Sequence, residues 1–357
     1  MSPLERIRRE LLRLRNRFRP AAPVRLEVTD RPGTKYGDFA ASGVITIPRT
    51  PLFEKTDVFF TMGSCFAEEI RIALTSRRIA CVPSYRNIRF DPAEAIVDTL
   101  PGREHMNFYN TFTVRLQIEQ LLGLWEQGAD DWWKIRKRPA APWGPVCFQD
   151  PYRRLILAKS PEILARTIGE VNAEMRRGFD AATAFIFTFG MTEVFVNRAT
   201  GKVASQKPLY GGGGGSDETT LHVSTFQENL DNVLAIVDMI QERKPGVPIV
   251  LTVSPVALSR TFQDADVVTI NSESKSILRA VLGQVCRERQ NVHYLPSFEF
   301  VTYGGLDRSY KADRRHVKRP VVDQIVEHFF QAYFSGPVPD AVPAPKTPVD
   351  AEREAAE

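Results

Sequence analysis

Short apolar runs alternate with helical patterns along most of this chain, and this alternation is its strongest constraint on the fold. The runs at 57–62, 79–82, 184–189, 248–253 and 292–295 have the β-branched and aromatic character of buried strands. A chain that alternates buried strands with helices forms a parallel sheet covered by helices on both faces. The sequence therefore predicts an α/β fold.

Ser64, Gly190 and Ser254 each come directly after one of these runs. Ligands of such sheets bind beyond the carboxyl ends of the strands, so these three residues are expected at one edge. Ser64 also precedes a helical pattern at 67–78, whose first backbone N–H groups would be unpaired and would favour negative charge. A serine at such a turn can attack an acyl group if a base takes its proton.

Two alternatives compete with Ser64 as a nucleophile. Serine is a common N-cap, so Ser64 could simply cap the helix that follows. Cys65 is a rival nucleophile, because a thiol at a helix N-terminus reacts more readily than an ordinary thiol. The side chain after the turn is, however, expected to point elsewhere, often into the core.

His316 is the candidate base, and it lies in a polar stretch after the last predicted strand. A neutral imidazole can take the serine proton and later give it to a leaving group. Asp313, three residues earlier, could hold the ring in the required tautomer, with Asp307 as a competing orienter. The alternative is a surface histidine in an arginine-rich loop.

These residues resemble the GSCFA family, a branch of the SGNH or GDSL-like hydrolases. The five-residue segment 63–67 reads Gly-Ser-Cys-Phe-Ala, the signature that gives the family its name. The resemblance continues through 109–110, 188–193, 254–256, 274–279, 296–299 and 313–316. It implies a three-layer α/β/α sandwich of flavodoxin-like type, with an insertion and a helical N-terminal extension. It also implies Ser64, Asp313 and His316 as the catalytic residues.

The groups that would bind an oxyanion are less sharply predicted. SGNH enzymes use a glycine and an asparagine, and the corresponding block here carries Gly190 but has Thr192 where the asparagine is usual. Either the Thr192 hydroxyl or the Asn110 amide could replace that donor. Glu193, in the same block, completes the candidates for oxyanion and substrate binding, either as a carboxylate that supports the site or as the cap of a strand end.

The resemblance implies a serine-dependent acyl-ester hydrolase or an O-acyltransferase that works by a Ser-His-Asp double displacement. Its substrate would be a small-molecule or glycan ester, with carbohydrate esters among the candidates. The alternative is a catalytically inactive SGNH-like binding module in polysaccharide or envelope assembly. The missing asparagine in the block of Thr192 supports this second hypothesis.

Composition limits the other possibilities. The net charge is +4, from 47 Lys and Arg against 43 Asp and Glu, and no basic stripe with interleaved aromatic residues predicts nucleic-acid binding. The four cysteines are widely spaced without a CxxC pair, so neither a disulfide framework nor a cysteine metal site is expected. The predicted chemistry requires no metal or other cofactor. Without a membrane-length apolar run or a secretory signal, the expected location is cytoplasmic.

Three regions are predicted along the chain. Residues 1–23 form a basic amphipathic helix, 24–335 the catalytic domain and 336–357 a disordered tail rich in proline, alanine and charge. The helical pattern at 4–18 suits a peripheral contact with anionic lipid or an acidic partner, or else a docking or dimerisation helix. The sequence does not predict an oligomeric state.

Overall fold

The computed structural model describes residues 33–89, 91, 107–136, 146–154, 156–205 and 219–342. The predicted N-terminal helix, the glycine run at 211–215 and the end of the predicted tail lie outside these residues. The chain divides into two compact units after Val44. In the first unit, α1 (Tyr36–Ser42) ends at Gly43, whose φ of +65° is in the left-handed region that favours glycine. The apolar pattern of the sequence predicts no helix in these residues.

The second unit is built on a parallel five-stranded sheet in the order β11-β10-β6-β1-β2. Read in the order of these strands along the chain, this is the 2-1-3-4-5 arrangement of flavodoxin-like folds, as predicted. Its strands are β1 (Val58–Gly63), β2 (Ala80–Val82), β6 (Ala184–Phe189), β10 (Ile249–Val253) and β11 (Val292–Tyr294).

Helices cover both faces of this sheet and bury two apolar clusters. All six residues of β6 are buried, and its apolar residues alternate between the clusters because successive side chains of a strand point to opposite faces. Phe185 and Phe187 pack with helices α3 to α6, whereas Ala184 and Ile186 pack with α2 and α9. The result is the predicted three-layer α/β/α sandwich. The helices are α2 (Cys65–Ser76), α3 (Thr111–Leu121), α4 (Pro161–Ala181), α5 (Phe226–Arg243), α6 (Val267–Glu288), α7 (Ser297–Gly304), α8 (Leu306–Ser309) and α9 (Arg319–Tyr333).

Two small antiparallel sheets lie beside this sandwich and share a third apolar cluster. One has the order β3-β4-β5, with β3 and β4 in the insertion predicted at 85–150, while the other has the order β8-β7-β9. The strands are β3 (Trp133–Arg136), β4 (Val146–Gln149), β5 (Leu157–Ala158), β7 (Glu193–Asn197), β8 (Val203–Ala204) and β9 (Thr219–Val223). The apolar runs of the sequence predict neither β8 nor the start of β9.

The chain continues in contact with the sandwich after α9. The backbone N–H of Val342 donates to the Ser76 carbonyl at 2.8 Å, so residues 336–342 are placed against the end of α2. These residues belong to the predicted disordered tail, whose remainder is not among the described residues.

Among the helices that the structure describes, none combines the length and the apolar character needed to cross a membrane. The cytoplasmic location stays a prediction.

Candidate active site

The turn between β1 and α2 positions Ser64. Gly63 has a φ of +146°, and a Cβ at this position would overlap the Thr188 carbonyl oxygen on the neighbouring strand. The Ser64 N–H donates to that same carbonyl at 3.0 Å. Glycine is therefore required for the close approach of β1 and β6 that brings Ser64 to the edge of the sheet.

Ser64 caps α2 in this structure. Its Oγ accepts the N–H of Phe66 at 3.3 Å, which is the N-cap bond that the sequence also allows. Ser64 is only 2% exposed, whereas the neighbouring Cys65 is half-buried. The cap and a nucleophilic role are compatible, because the cap uses a lone pair of the hydroxyl and leaves its proton to another acceptor.

Three strand ends meet at this turn. A Cβ built on Gly190 would lie 3.6 Å from the Cβ of Ser64 and 3.5 Å from that of Ser254. The prediction that these three residues share one edge is confirmed. β1 and β6 also flank the point where the strand order reverses, which is the crevice where flavodoxin-like folds bind ligands.

The segment at 107–110 fits into this crevice between the two strand ends. The Phe108 N–H donates to the Gly63 carbonyl at 2.7 Å, and the Tyr109 carbonyl accepts the Gly190 N–H at 2.8 Å. Asn110 follows as the N-cap of α3, with its Oδ1 accepting the Thr113 N–H at 2.9 Å. Its amide Nδ2 donates to none of the residues that the structure describes.

The backbone N–H groups of Ser64, Gly190 and Thr192 are not available as oxyanion donors in this conformation. Those of Ser64 and Gly190 donate to the carbonyls of Thr188 and Tyr109, as described above, and that of Thr192 donates to Ser274 Oγ at 2.9 Å. The predicted role of Gly190 as a donor therefore lacks a free N–H here. Among the predicted oxyanion-binding residues, the side chains of Asn110 and Thr192 donate to no other described residue and are therefore available as donors.

Glu193 is buried at the start of β7 and is engaged within the protein. Its carboxylate accepts the Phe262 N–H at 3.2 Å and the Gln263 Nε2 at 3.0 Å, together with the Thr261 hydroxyl. It therefore anchors the segment 261–263 and has no contact that indicates substrate binding. Of the two predicted roles, the structure favours that of a supporting carboxylate.

Asp313 and His316 form a close pair. The imidazole Nδ1 and Asp313 Oδ2 are 2.5 Å apart, and Oδ1 accepts the backbone N–H groups of Arg315 and His316, each at 3.0 Å. Burial alone would raise the pKa of Asp313, but the hydrogen bonds from His316 and Arg315 outweigh it and hold this pKa well below its usual range. An ionised Asp313 fixes the proton on Nδ1 and leaves the lone pair on Nε2, as a general base requires.

Asp307, the competing orienter, pairs with Arg314 instead. Arg314 has a φ of +55°, so the backbone turns sharply between Asp313 and His316. This turn lets one carboxylate reach both the backbone and the ring of His316.

The loop of His316 is docked at the same sheet edge as Ser254. The Tyr310 hydroxyl donates to the Pro255 carbonyl at 3.2 Å, and Arg315 Nε donates to the Ala257 carbonyl at 2.9 Å. His316 Nε2 contacts Arg315 Nη1 at 3.1 Å, and the imidazole is 48% exposed. In the described part of the chain, no hydrogen bond joins this nitrogen to Ser64 Oγ.

Lys275 is a functional candidate that the sequence analysis did not single out. It is 1% exposed, and its ammonium donates to the carbonyls of Gly190 at 2.7 Å and Val256 at 3.0 Å. Burial lowers the pKa of Lys275 to about 7, with smaller effects from Cys65, which opposes the shift, and from the Arg315 charge, which adds to it. Its position three residues before Leu278, on the apolar face of α6, was the signal that could have identified it.

Comparison with known proteins gives one strong match. Curated proteins give none. Among solved structures, one match is the salicylyl-acyltransferase SsfX3 from a tetracycline biosynthetic pathway, with 22% identity and a TM-score of 0.21. That match covers 30% of this chain and 32% of that chain, so it spans about a third of the other protein and has no weight for function. The family model of GSCFA matches residues 58–329, which is most of the 357-residue chain. The chain therefore belongs to the GSCFA family.

Proposed function

We propose that this protein is a serine acyl-ester hydrolase or O-acyltransferase, with Ser64 as nucleophile, His316 as general base and Asp313 as the residue that orients it. The observation that carries this proposal is the Asp313–His316 pair, with 2.5 Å between Oδ2 and Nδ1, on a loop docked at the sheet edge of Ser64. Membership of the GSCFA family supports chemistry on acyl groups.

The reaction is a double displacement. His316 Nε2 takes the Ser64 proton while Oγ attacks the acyl carbon, and the tetrahedral intermediate collapses when Nε2 returns that proton to the departing alcohol. The acyl-enzyme is then attacked by water or by an acceptor hydroxyl, whose proton passes to Nε2 and finally to Ser64. Water gives a hydrolase, and a sugar hydroxyl gives an O-acyltransferase.

The oxyanion is stabilised by side-chain donors that have no acceptor among the described residues. The Nδ2 of Asn110 and the Thr192 hydroxyl belong to the segments that meet at Gly190, beside Ser64. The Lys275 ammonium binds the Gly190 carbonyl from the buried side. Its positive charge would favour a developing oxyanion, because buried charges are poorly screened.

Covalent labelling tests the assignment of the nucleophile. We expect a fluorophosphonate to label the protein and peptide mapping to place the label on Ser64. Ser64→Ala should abolish labelling and turnover of p-nitrophenyl acetate, while the matched variant Cys65→Ala should retain both. Labelling of Cys65, or unchanged turnover by Ser64→Ala, would contradict the proposal.

Acceptor dependence separates the two enzyme classes. A hydrolase releases the free acid at the same rate with or without a glycan. A transferase consumes the acyl donor faster when a glycan is added and yields an acylated sugar. An active site that excludes water would favour transfer.

A binding module without catalysis is the second candidate. It is favoured by the contact of His316 Nε2 with Arg315, because the nitrogen that would take the Ser64 proton is engaged elsewhere. A folded protein that neither reacts with the fluorophosphonate nor hydrolyses p-nitrophenyl acetate, yet binds a glycan, would select this candidate.

A further inference from the structure

Arg315 covers the nitrogen on which the proposed reaction depends. Asp313 holds the Nδ1 proton of His316, so Nε2 carries the lone pair and the guanidinium Nη1 donates to it at 3.1 Å. A second guanidinium nitrogen, Nε, donates to the Ala257 carbonyl at 2.9 Å and fixes the side chain in this position. Arg315 must leave Nε2 before His316 can take a proton from Ser64.

The charge of Arg315 is not neutralised by the described residues, in contrast to its neighbours. Arg314 pairs with Asp307, and Arg319 pairs with Glu69 and Asp323. Arg315 has no carboxylate partner in the described part of the chain. A guanidinium that offers further N–H donors at a reaction centre is suited to bind a carboxylate or phosphate, because its planar fork matches their geometry.

This inference rests on the proposed function and specifies its substrate. We propose that Arg315 binds an anionic group on the alcohol portion of the ester, and that this binding draws the guanidinium away from His316 Nε2. The alcohol portion is indicated because Nε2 returns the proton to the departing oxygen, so a group beside Nε2 stands beside the alcohol. The substrate class is therefore an acyl ester of a carboxylate- or phosphate-bearing alcohol.

Because Arg315 exchanges His316 Nε2 for a group on the substrate, anionic esters are favoured over neutral ones. A neutral ester must displace Arg315 from Nε2 and offers no equivalent acceptor in return. An anion replaces that contact with charge-assisted hydrogen bonds, which are roughly twice as strong as neutral ones.

Two esters that differ in charge test this role. We compare kcat/KM for meta-acetoxybenzoate and meta-acetoxybenzamide, which differ little in leaving group. Arg315→Met should lower kcat/KM for the anionic ester by about tenfold or more, the loss expected for a hydrogen-bonded charge pair. The same variant should leave kcat/KM for the neutral ester unchanged or raise it, because Nε2 is uncovered. Arg315→Lys should restore part of the preference for the anion.

Arg308→Met is the matched control. Arg308 is exposed on α8, and among the described residues its side chain contacts only Gln324, at 3.4 Å, so this variant removes the same charge from the neighbouring surface. It should leave the ratio of the two kcat/KM values within about twofold of the parent. Equal losses with both esters in Arg315→Met, or no loss with the anionic ester, would overturn the inference.

Binding without turnover separates this inference from the proposed function. In the Ser64→Ala background, calorimetry should show that meta-hydroxybenzoate binds more tightly than meta-hydroxybenzamide, and that adding Arg315→Met removes the difference. If Ser64 is neither labelled nor required for turnover but this preference is present, the proposed function fails and the anion site stands. If no preference depends on Arg315, the anion site fails whatever the labelling shows.

Discussion

Asp313 acts on His316 through both the backbone and the ring, and this gives a prediction at the scale of single residues. In Asp313→Asn, an amide oxygen can still accept the two backbone N–H groups, but the amide nitrogen donates to Nδ1 and moves the ring proton to Nε2. Nε2 can then no longer take the Ser64 proton. We expect ester turnover to fall by about 10³- to 10⁴-fold with the fold intact.

Asp307→Asn is the control for this prediction, because Asp307 lies on the neighbouring α8 and its carboxylate pairs with Arg314 and not with His316. Steady-state kinetics of p-nitrophenyl acetate hydrolysis and the circular dichroism of both variants provide the measurement. If Asp313→Asn turns over the ester as fast as Asp307→Asn does, the Asp313 carboxylate does not orient the His316 ring.

Some contacts of the candidate site could be predicted from the sequence, and others depend on backbone conformation or on the tertiary fold. Asp313 and His316 were identified from their spacing and the family resemblance. The contact of Arg315 with Nε2 was not, because it depends on the left-handed backbone at Arg314. Lys275 was missed because lysine on an amphipathic helix usually reaches solvent, and only the fold shows the two carbonyls that receive its ammonium.

At the scale of elements, the start of α5 differs from its prediction by one residue. In the sequence, Ser224 and Gln227 have the spacing of a capping box and predict Ser224 as the N-cap, but the structure has Thr225 as the cap with Glu228 as its reciprocal partner. Ser224 instead donates its hydroxyl to the Thr192 carbonyl at 2.8 Å. A tertiary contact therefore decided between two sequence patterns of equal local quality.

This cap can be tested through stability. Thr225→Ala removes the oxygen that accepts the Glu228 N–H at 3.2 Å, and we expect the free energy of unfolding to fall by about 1 kcal/mol. Gln227→Ala, on the exposed side of the same turn, should change it by less than about 0.5 kcal/mol. Urea titrations of both variants measure these free energies of unfolding. A larger decrease in Gln227→Ala than in Thr225→Ala would support the capping box of Ser224 with Gln227 instead.

Elements with a strong apolar period were predictable and short ones were not. The five central strands and α4, with Ser160 as its cap and Pro161 as its first residue, follow from local pattern alone. β5 and β8 have two residues each, too few for any period to appear, and they form only because β4 and β7 offer them partners. Helix α1 was missed because its seven residues carry no buried face.

At the scale of the whole molecule, Lys275 makes stability depend on pH. Its pKa is about 7 in the folded protein, against an ordinary value of 10.5. Between these values the unfolded chain binds a proton that the folded chain does not, so stability rises with pH. Below pH 7 both states hold the proton, and the penalty for the buried charge is constant.

Comparison with Lys275→Met isolates this effect. From pH 7 to pH 9.5 the free energy of unfolding of the parent should rise relative to that of the variant, by up to about 1.4 kcal/mol per pH unit for one proton. Chemical denaturation at several pH values provides both curves. A difference that stays flat, or that falls with pH, would mean that Lys275 keeps its ordinary affinity for protons when the protein folds.

The meeting of β1 and β6 at Gly63 also has a consequence for how the protein folds. The Val58 N–H and its acceptor on Thr183 are 125 positions apart, and the loop of His316 comes more than 100 positions later still. Contacts between residues so far apart in the sequence form slowly, because the entropy cost of closing a long loop precedes the stabilisation that the contact provides. Ser64, Gly190 and His316 are far apart in the sequence, so we expect the recovery of reactivity during refolding to report the completion of the sheet.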